Sequence, residues 1–348
     1  ATSRLIADAH FGFDPLTAIQ RDLWSKVSSF EAATKLSTAV ISNTTQPALL
    51  SLVVGNRALF RGIHTVIKDF GASEAFATRS GAITNSVLRE FRRSIGLEEA
   101  SFGAKVLRRT GFTRQEKWNR IISAVIGREF AKDMFRLLKI KPTDTRVRRA
   151  LKEWTALDPD DLLKKGALAE DDLLMAAKRM SDRTQFRTGP LDLPFAWQSS
   201  VGGRMLTLYK SFGFNQARLF RDSVLQEVRR GNLRPLLPLV TTVPLAGEFS
   251  ANVKAFIFLR DRPTDLTERI LEDYFSVGAI GIIEGMLQSA ALGKGTEFFA
   301  GPILSEGGDV LDVIGSERPG REAIKEGLKR IPVAGRGLSK SFAEATKP

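Results

Sequence analysis

Apolar residues recur at helical spacing through most of this chain, and that periodicity constrains its fold more than any other feature. Asp14-Pro15 can cap a helix and fill its first turn, and the apolar residues that follow lie three or four positions apart: Leu16, Ile19, Leu23, Val27 and Phe30. Thr113 and Glu116 have the spacing of a capping box before another long run. No stretch alternates with period two over a strand's length. The sequence therefore predicts an all-α fold, a multi-helix bundle assembly with connecting segments rich in Pro and Gly.

Start and stop signals predict where several of these helices lie. One helix is expected from Pro47 to Gly71, where Gly supplies a C-cap. Asp158-Pro159 repeats the cap-and-proline device. Further helices are predicted from about Ser200 to Arg230 and from Thr264-Asp265 to about Leu292, and three prolines break the chain between them: Pro235, Pro238 and Pro244.

Residue types that carry catalytic and metal chemistry are scarce. The chain of 348 residues has no Cys, which excludes disulfides, thiol catalysis and Cys metal sites, and its two histidines, His10 and His64, lack ligand spacing. The Gly-Lys-Gly-Thr at Gly293 lacks the spacing of a phosphate-binding loop. The sequence predicts no catalytic, cofactor or metal site in this segment. The chain begins at Ala1, which could reflect removal of an initiator Met, but its helix-like opening favours a fragment of a longer protein. A catalytic domain elsewhere on that protein stays open.

Positive charge is concentrated in one block of the sequence. The net charge is +13, and residues 84–156 hold 18 Lys or Arg against 8 Asp or Glu. Clustered cations can neutralise phosphates without reading sequence, although a solvated basic face is a common alternative. Trp118 and Trp154 could stack on unpaired bases or pack in the core. The candidate nucleic-acid contacts are Arg92, Arg93, Arg108, Arg109, Arg114, Lys117, Arg120, Arg148 and Arg149.

The change in charge also predicts the division of the chain. Residues 157–196 hold 6 basic and 8 acidic side chains, so the basic block ends near Ala156. The Pro- and Gly-containing stretch from Pro190 to Gly203 marks a second boundary. The prediction is a basic helical domain at 1–156, acidic helices with an extended Pro-rich linker at 157–198, and a helical domain with a glycine-ridged apolar helix at 199–348.

The apolar stretch from Tyr274 to Gly293, YFSVGAIGIIEGMLQSAALG, is close to the length that a bilayer requires. Small residues recur every fourth position on one face and permit close helix packing: Gly281, Gly285, Ser289 and Gly293. Glu284 in the middle is costly in hydrocarbon. The pattern fits a helix packed within a soluble bundle, with entry into a membrane as the alternative.

Three segments carry a resemblance to a known family: LSTAVISNTTQPALLSLVVGNRALFRG, LRRTGFTRQEKWNRIISAVIGREFAKDMFR and TQF…GPLDLPFAWQSSVGGRMLTLYKSFGFNQARLFRD. Together they resemble the C-terminal regions of large phage polyvalent proteins, some of which are internal virion proteins. The likeness covers most of residues 36–340 as short motifs. The matching positions are Gln185, Pro190, Pro194, Ser200, Gly203, Arg204, Lys210, Ser211, Phe212, Asn215 and Gln216. Read physically, Pro190 and Pro194 hold an extended segment, and Asn215 and Gln216 can bond across helices.

The resemblance implies an internal virion protein of a tailed phage, packaged near the portal and ejected into the host to assist genome delivery as a non-catalytic scaffold or conduit. It implies a homo-oligomer that contacts other core or portal proteins and packaged DNA inside the virion, and that reaches the host envelope, with a host membrane as a further partner, after ejection. The alternative expectation is a non-specific nucleic-acid-binding protein in the host cytoplasm.

Overall fold

The structure is a computed structural model that describes residues 16–20, 22–26, 43–84, 102–185, 210–257 and 261–277. These residues are 81% helical and include no strand. The predicted all-α fold class is confirmed.

The described helices fall into three groups along the chain. The N-terminal ones are α1 (Gln46–Leu49), α2 (Ser51–Val54), α3 (Asn56–Lys68), α4 (Phe70–Arg79) and α5 (Phe102–Arg109). The middle of the chain forms α6 (Phe112–Ile140), α7 (Thr145–Ala150), α8 (Pro159–Lys165) and α9 (Glu170–Thr184). The last are α10 (Lys210–Phe220), α11 (Gln226–Arg229), α12 (Leu236–Val240), α13 (Thr242–Ile257) and α14 (Leu266–Val277). One π-helical segment, Leu151–Thr155, follows α7, and another, Arg221–Leu225, joins α10 to α11.

Helix α6 runs through the centre of the described fold. Its middle is buried on nearly all sides, and it packs along α9 on one side and α3 on another. Gly127 permits the contact with α9, because a Cβ at that position would lie 2.6 Å from Met180 Cβ and 2.9 Å from the Ala176 carbonyl oxygen. At about 1.5 Å per residue, the 29 residues of α6 separate its two ends by roughly 40 Å.

The start of α6 differs from the prediction. The helix begins at Phe112 after Gly111, whose φ of 83° is left-handed, and no side chain caps it. Glu116 instead accepts a hydrogen bond from Arg120 Nε at 2.8 Å. The predicted capping box is wrong, because Glu116 finds a charged donor one turn further along the helix.

Of the other predicted helix ends, the N-cap at Asp158 is confirmed and the C-cap at Gly71 is wrong. Asp158 accepts hydrogen bonds from the Asp160 and Asp161 amides, as predicted. Gly71 does not end a helix, since α3 ends at Lys68 and Gly71 lies inside α4. The predicted single helix from Pro47 is a series of shorter ones, because Gly55 adopts a φ of 81° between α2 and α3 and Asp69 caps α4.

One core cluster draws on each of the three predicted domains. Leu59 and Val125 from the first, Met180 from the second, and Leu219 and Val277 from the third share it. A smaller cluster packs α7 and α8 against α6 and α9. The described parts of the three segments therefore pack on one another, and the division of the complete chain stays a prediction.

Helices α13 and α14 form an antiparallel hairpin at the end of the described chain. Gly247 lies against the Asp273 backbone, where there is no room for a Cβ. The base of the hairpin packs on α1, and towards its tip side chains such as Phe256 and Leu266 are exposed. Asp265 caps α14 by accepting hydrogen bonds from the Thr267 and Glu268 amides, as predicted.

Candidate functional site

An exposed cluster of cations surrounds the junction between α5 and α6. We call it the basic end, and it consists of Lys105, Arg108, Arg109 and Arg114, all of which are exposed. No salt bridge joins any of the four to another residue that the structure describes. The basic end is therefore one part of the predicted basic block whose charge is available for an anion, as is the exposed pair Lys141 and Arg146 beyond the other end of α6.

Several other members of the block are paired with acids that lie outside it in sequence. Arg148 donates to both oxygens of Asp160 at 2.6 Å, and Arg149 donates to Glu227 Oε1 at 2.7 Å. Lys117 pairs with Glu74. The fold therefore neutralises part of the charge that the sequence count assigns to the block, and these three are weaker candidates for phosphate contact. Arg92 and Arg93 lie outside the described residues.

The structure excludes Arg120 as a nucleic-acid contact. Its side chain is 1% exposed and pairs with Glu116, which is 5% exposed. The guanidinium also donates to the Gln185 carbonyl at 3.5 Å. The assignment is corrected because a side chain in this position has no access to a phosphate.

Arg120 belongs to a buried polar cluster between α1, α6 and the end of α9. Asn119 donates to Gln46 Oε1 at 3.2 Å, and Gln185 donates to Ser123 Oγ at 2.7 Å. Arg120 Nη1 and Gln185 Oε1 are buried without a hydrogen-bond partner among the described residues. Moving α1, α6 or the end of α9 would break these hydrogen bonds and leave further buried polar atoms without a partner, which is costly. The cluster therefore fixes how the three elements meet.

The two tryptophans take the packing role. Trp154 is buried, and the Arg183 guanidinium lies 4.1 Å from the centre of its ring. Trp118 stacks on Phe70 with ring centres 5.3 Å apart. Arg183 also donates to the Glu153 carbonyl and to Asp222, one in each π-helical segment, so it ties these two segments together.

Only part of the family-like motif lies within the described residues. Gln185 is buried, and Gln216 donates across helices to the Val277 carbonyl at 3.5 Å, as predicted. Lys210, Phe212 and Asn215 lie on α10. Pro190, Pro194, Ser200, Gly203 and Arg204 lie outside the described residues.

A second polar cluster lies within the hairpin and surrounds Arg262. The guanidinium donates to Glu272 at 3.0 Å and to Asp273 at 2.6 Å, and it pairs with Glu248 at 2.8 Å. Arg269 also pairs with Glu248. Residues from both helices and from the connection between them therefore meet at one guanidinium, which holds the hairpin closed.

The pKa values of two of the three carboxyl groups in this cluster shift in opposite directions. The hydrogen bond from Arg269, assisted by Arg262, holds the pKa of Glu248 well below its ordinary value. Burial raises the pKa of Asp273, and the neighbouring Glu248 raises it further against the effect of Arg262. Glu248 therefore keeps its charge, and its pairing with the arginines, at a lower pH than an ordinary glutamate does.

Large apolar side chains cover the solvent side of the hairpin and of the segment before it. Those on residues 233–256 that are more than half exposed are Leu233, Leu237, Val240, Leu245, Phe249 and Phe256. We call this set the outer apolar face. Exposed apolar surface of this size marks an interaction site where it is contiguous.

Most of the segment predicted to form the glycine-ridged helix, Tyr274 to Gly293, follows α14 in the sequence. The described part of the stretch is the end of α14, where Tyr274 donates its hydroxyl to the Leu239 carbonyl at 2.8 Å. Gly281, Gly285, Ser289 and Gly293 lie outside the described residues. Over the part of the chain that the structure describes, none of the helices combines the length and apolar character needed to cross a bilayer.

Within the described ranges, no group of His, Cys, Asp or Glu side chains could hold a metal ion. Comparison with protein-family models, curated proteins and solved structures found no match to this chain.

Proposed function

We propose that this chain is an internal virion protein of a tailed phage, packaged near the portal and ejected to assist genome delivery as a scaffold or conduit. The observation that carries the proposal is the presence of two chemically different surfaces on one all-α body. The basic end presents cations with no acidic partner among the described residues, and the hairpin presents the outer apolar face.

The basic end supports the contact with packaged DNA. Four exposed cations at one helix junction suit phosphates in any sequence, because backbone charge does not depend on the bases. The outer apolar face supports assembly with other copies or other core proteins, since a monomer gains nothing from exposing it. The resemblance to phage polyvalent proteins joins these two properties in one particle.

The test follows the chain during genome release. Purified particles from the native source are triggered to eject DNA in the presence of liposomes, the lipid is floated on a gradient, and peptides of the chain are quantified by mass spectrometry. We expect the chain to leave the capsid with the DNA or to float with the lipid. Retention in the emptied shell would make it a structural part of the capsid or portal, and its absence from particles would refute the virion assignment.

The basic end also favours a second candidate, a non-specific nucleic-acid-binding protein in the host cytoplasm. The salt dependence of DNA binding tests it. Replacing Arg108 and Arg109 with Gln is expected to reduce the slope of log K against log salt by about 2, whereas Arg148→Gln, which removes a cation already paired with Asp160, changes it less. Binding that is insensitive to Arg108 and Arg109 contradicts a role for the basic end. Strong binding by a chain that particles lack would favour the cytoplasmic candidate.

A further inference from the structure

Helix α13 places small side chains against the protein and large apolar ones towards solvent. The inward residues are Val243, Gly247, Ser250 and Ala251, all buried. On the opposite side, Leu245 is 70% exposed, Phe249 59% and Phe256 82%. A helix that is apolar on both sides is normally covered on both sides. Within the described residues, only the side of α13 with the small side chains is covered.

We propose that the outer side of α13 pairs with the same side of a second copy of this chain, in an antiparallel arrangement about a two-fold axis. The inference specifies the self-assembly contained in the proposed function. It names the helix that forms the contact and the residues that meet there.

The spacing of the exposed residues favours a helix of the same kind as the occupant. Leu245, Phe249, Asn252 and Phe256 follow one another at intervals of four, three and four, which is the spacing of a coiled-coil seam. A two-fold axis near Asn252 sets Phe249 of one copy opposite Phe256 of the other. Such a contact is self-complementary, as a two-fold interface requires.

Asn252 does not oppose this pairing. Its amide donates to Glu248 Oε1 at 3.0 Å, and its carbonyl accepts from Arg262 Nη1 at 3.0 Å. The polar group nearest the axis therefore already has a partner for its amide nitrogen and one for its oxygen within its own chain, which lowers the cost of covering it.

The outer apolar face approaches the area of a stable interface only if the pair buries all six of its side chains. If each of its six side chains has a full accessible area of roughly 150–200 Å², their exposed fractions amount to about 700 Å². A standard stable interface takes roughly 800 Å² from each partner. With the axis near Asn252, Phe249 and Phe256 supply less than half of this area, so a stable pair must also bury the residues around the hairpin tip and the segment that precedes α13.

Charge favours a protein partner over an anionic membrane or nucleic acid. Residues 233–277 hold five Lys or Arg against six Asp or Glu, in a chain whose net charge is +13. Helices that lie on anionic lipid carry cations beside their apolar face. Here Glu248 lies beside that face, paired with Arg262 and Arg269. A nearly neutral surface can meet its own copy without strong repulsion.

The test measures the mass of the full chain in solution by light scattering and sedimentation velocity over a range of concentrations. We expect a dimer or a multiple of it for the unchanged chain. Phe249→Ser with Phe256→Ser is expected to weaken the association about 100-fold or more. The matched control is Phe60→Ser on α3, because Phe60 is 58% exposed and lies outside the proposed contact.

A second readout locates the axis. Since the chain has no cysteine, Asn252→Cys gives a single thiol at the proposed axis, and Thr78→Cys gives one at an exposed position on α4. Mild oxidation is expected to produce a disulfide-linked dimer from the first variant and not from the second. The proposal would be overturned if the unchanged chain is monomeric or if the two Phe substitutions leave the mass of the assembly unchanged. It would also be overturned if Asn252→Cys cross-links no better than Thr78→Cys. A chain that stays monomeric and binds anionic vesicles through Phe249 and Phe256 would overturn it as well.

The result is independent of the virion assignment. Copies that pair through α13 but are absent from particles would refute only the proposed function. A chain found in particles that does not pair through α13 would refute only this inference.

Discussion

Gly127→Ala tests the closest helix contact of the described fold. The new methyl group would lie 2.6 Å from Met180 Cβ, 2.9 Å from the Ala176 carbonyl oxygen and 3.2 Å from Ala177 Cα, against the roughly 3.5–4.0 Å of a good carbon contact. Two of the three atoms belong to the α9 backbone, so no rotamer change removes the conflict. Helices α6 and α9 must move apart by about 1 Å, and overpacking of this kind costs about 1–3 kcal/mol.

A gain in helix propensity offsets part of that cost. Replacing Gly by Ala inside a helix is worth about 1 kcal/mol. Because α9 backbone atoms cannot move aside alone, the overpacking cost should lie in the upper part of its range, and we expect Gly127→Ala to lower the free energy of unfolding by about 1–2 kcal/mol. Gly71→Ala is the matched control, because Gly71 lies in α4 and the nearest atom to a new Cβ is Asp69 Oδ1 at 3.8 Å. It should be neutral or stabilising. Urea unfolding followed by circular dichroism measures both midpoints. Gly127→Ala as stable as the unchanged chain would refute the close packing of α6 on α9.

Three further predictions concern the two polar clusters and the hairpin. Arg120→Met is expected to destabilise the fold by about 3–5 kcal/mol, because it leaves Glu116 buried and unpaired. The double variant Arg120→Met with Glu116→Leu should recover much of that loss in the same urea assay. A small effect of both the single and the double variant would contradict the burial of Arg120. Glu248→Gln should cost about 1 kcal/mol at pH 7. Because the pKa of Glu248 is lowered in the fold, its contribution to stability is complete above its ordinary pKa of 4.5 and is lost as the pH falls below that value. The difference in unfolding free energy between the unchanged chain and Glu248→Gln should therefore shrink on acidification. A difference independent of pH would contradict the pairing with Arg269. Gly247→Ala cannot be accommodated against the Asp273 backbone, so we expect it to increase amide hydrogen exchange in α13 and α14 before the rest of the fold, and uniform exchange would contradict a hairpin closed at this point.

The fold class could be predicted from the sequence, whereas the ends of helices were harder to place. Periodicity reports that a helix forms, and Asp158 and Asp265 cap as their local sequence predicts, since the acceptor and its amides are neighbours. Glu116 does not, because Arg120 competes for its carboxylate once both are buried. The local sequence pattern cannot tell whether a carboxylate will accept from a backbone amide or from a charged side chain once tertiary packing buries all three groups together.

The candidate sites depend still more on tertiary contacts. A charge count along the sequence treats the basic block as one surface, but Glu74, Asp160 and Glu227 reach into it from elsewhere in the chain. The buried middle of α6 also separates the basic end from Arg148 at the far end. The sequence identified Arg108 and Arg109 correctly as members of a basic run, and their exposure comes from the fold alone.

The outer apolar face illustrates why an apolar stretch does not reveal its own partner. The sequence shows that residues 233–256 are mostly apolar, but not which side of α13 the rest of the fold covers. Because Gly247 allows α14 to approach closely and Arg262 fastens the two helices through its carboxylate partners, the hairpin closes without using its large apolar side chains. Phe249 and Phe256 are left on the outside of a hairpin that is already complete. Their burial therefore requires a surface from outside the described fold, and a second α13 supplies one with the same spacing and almost no net charge.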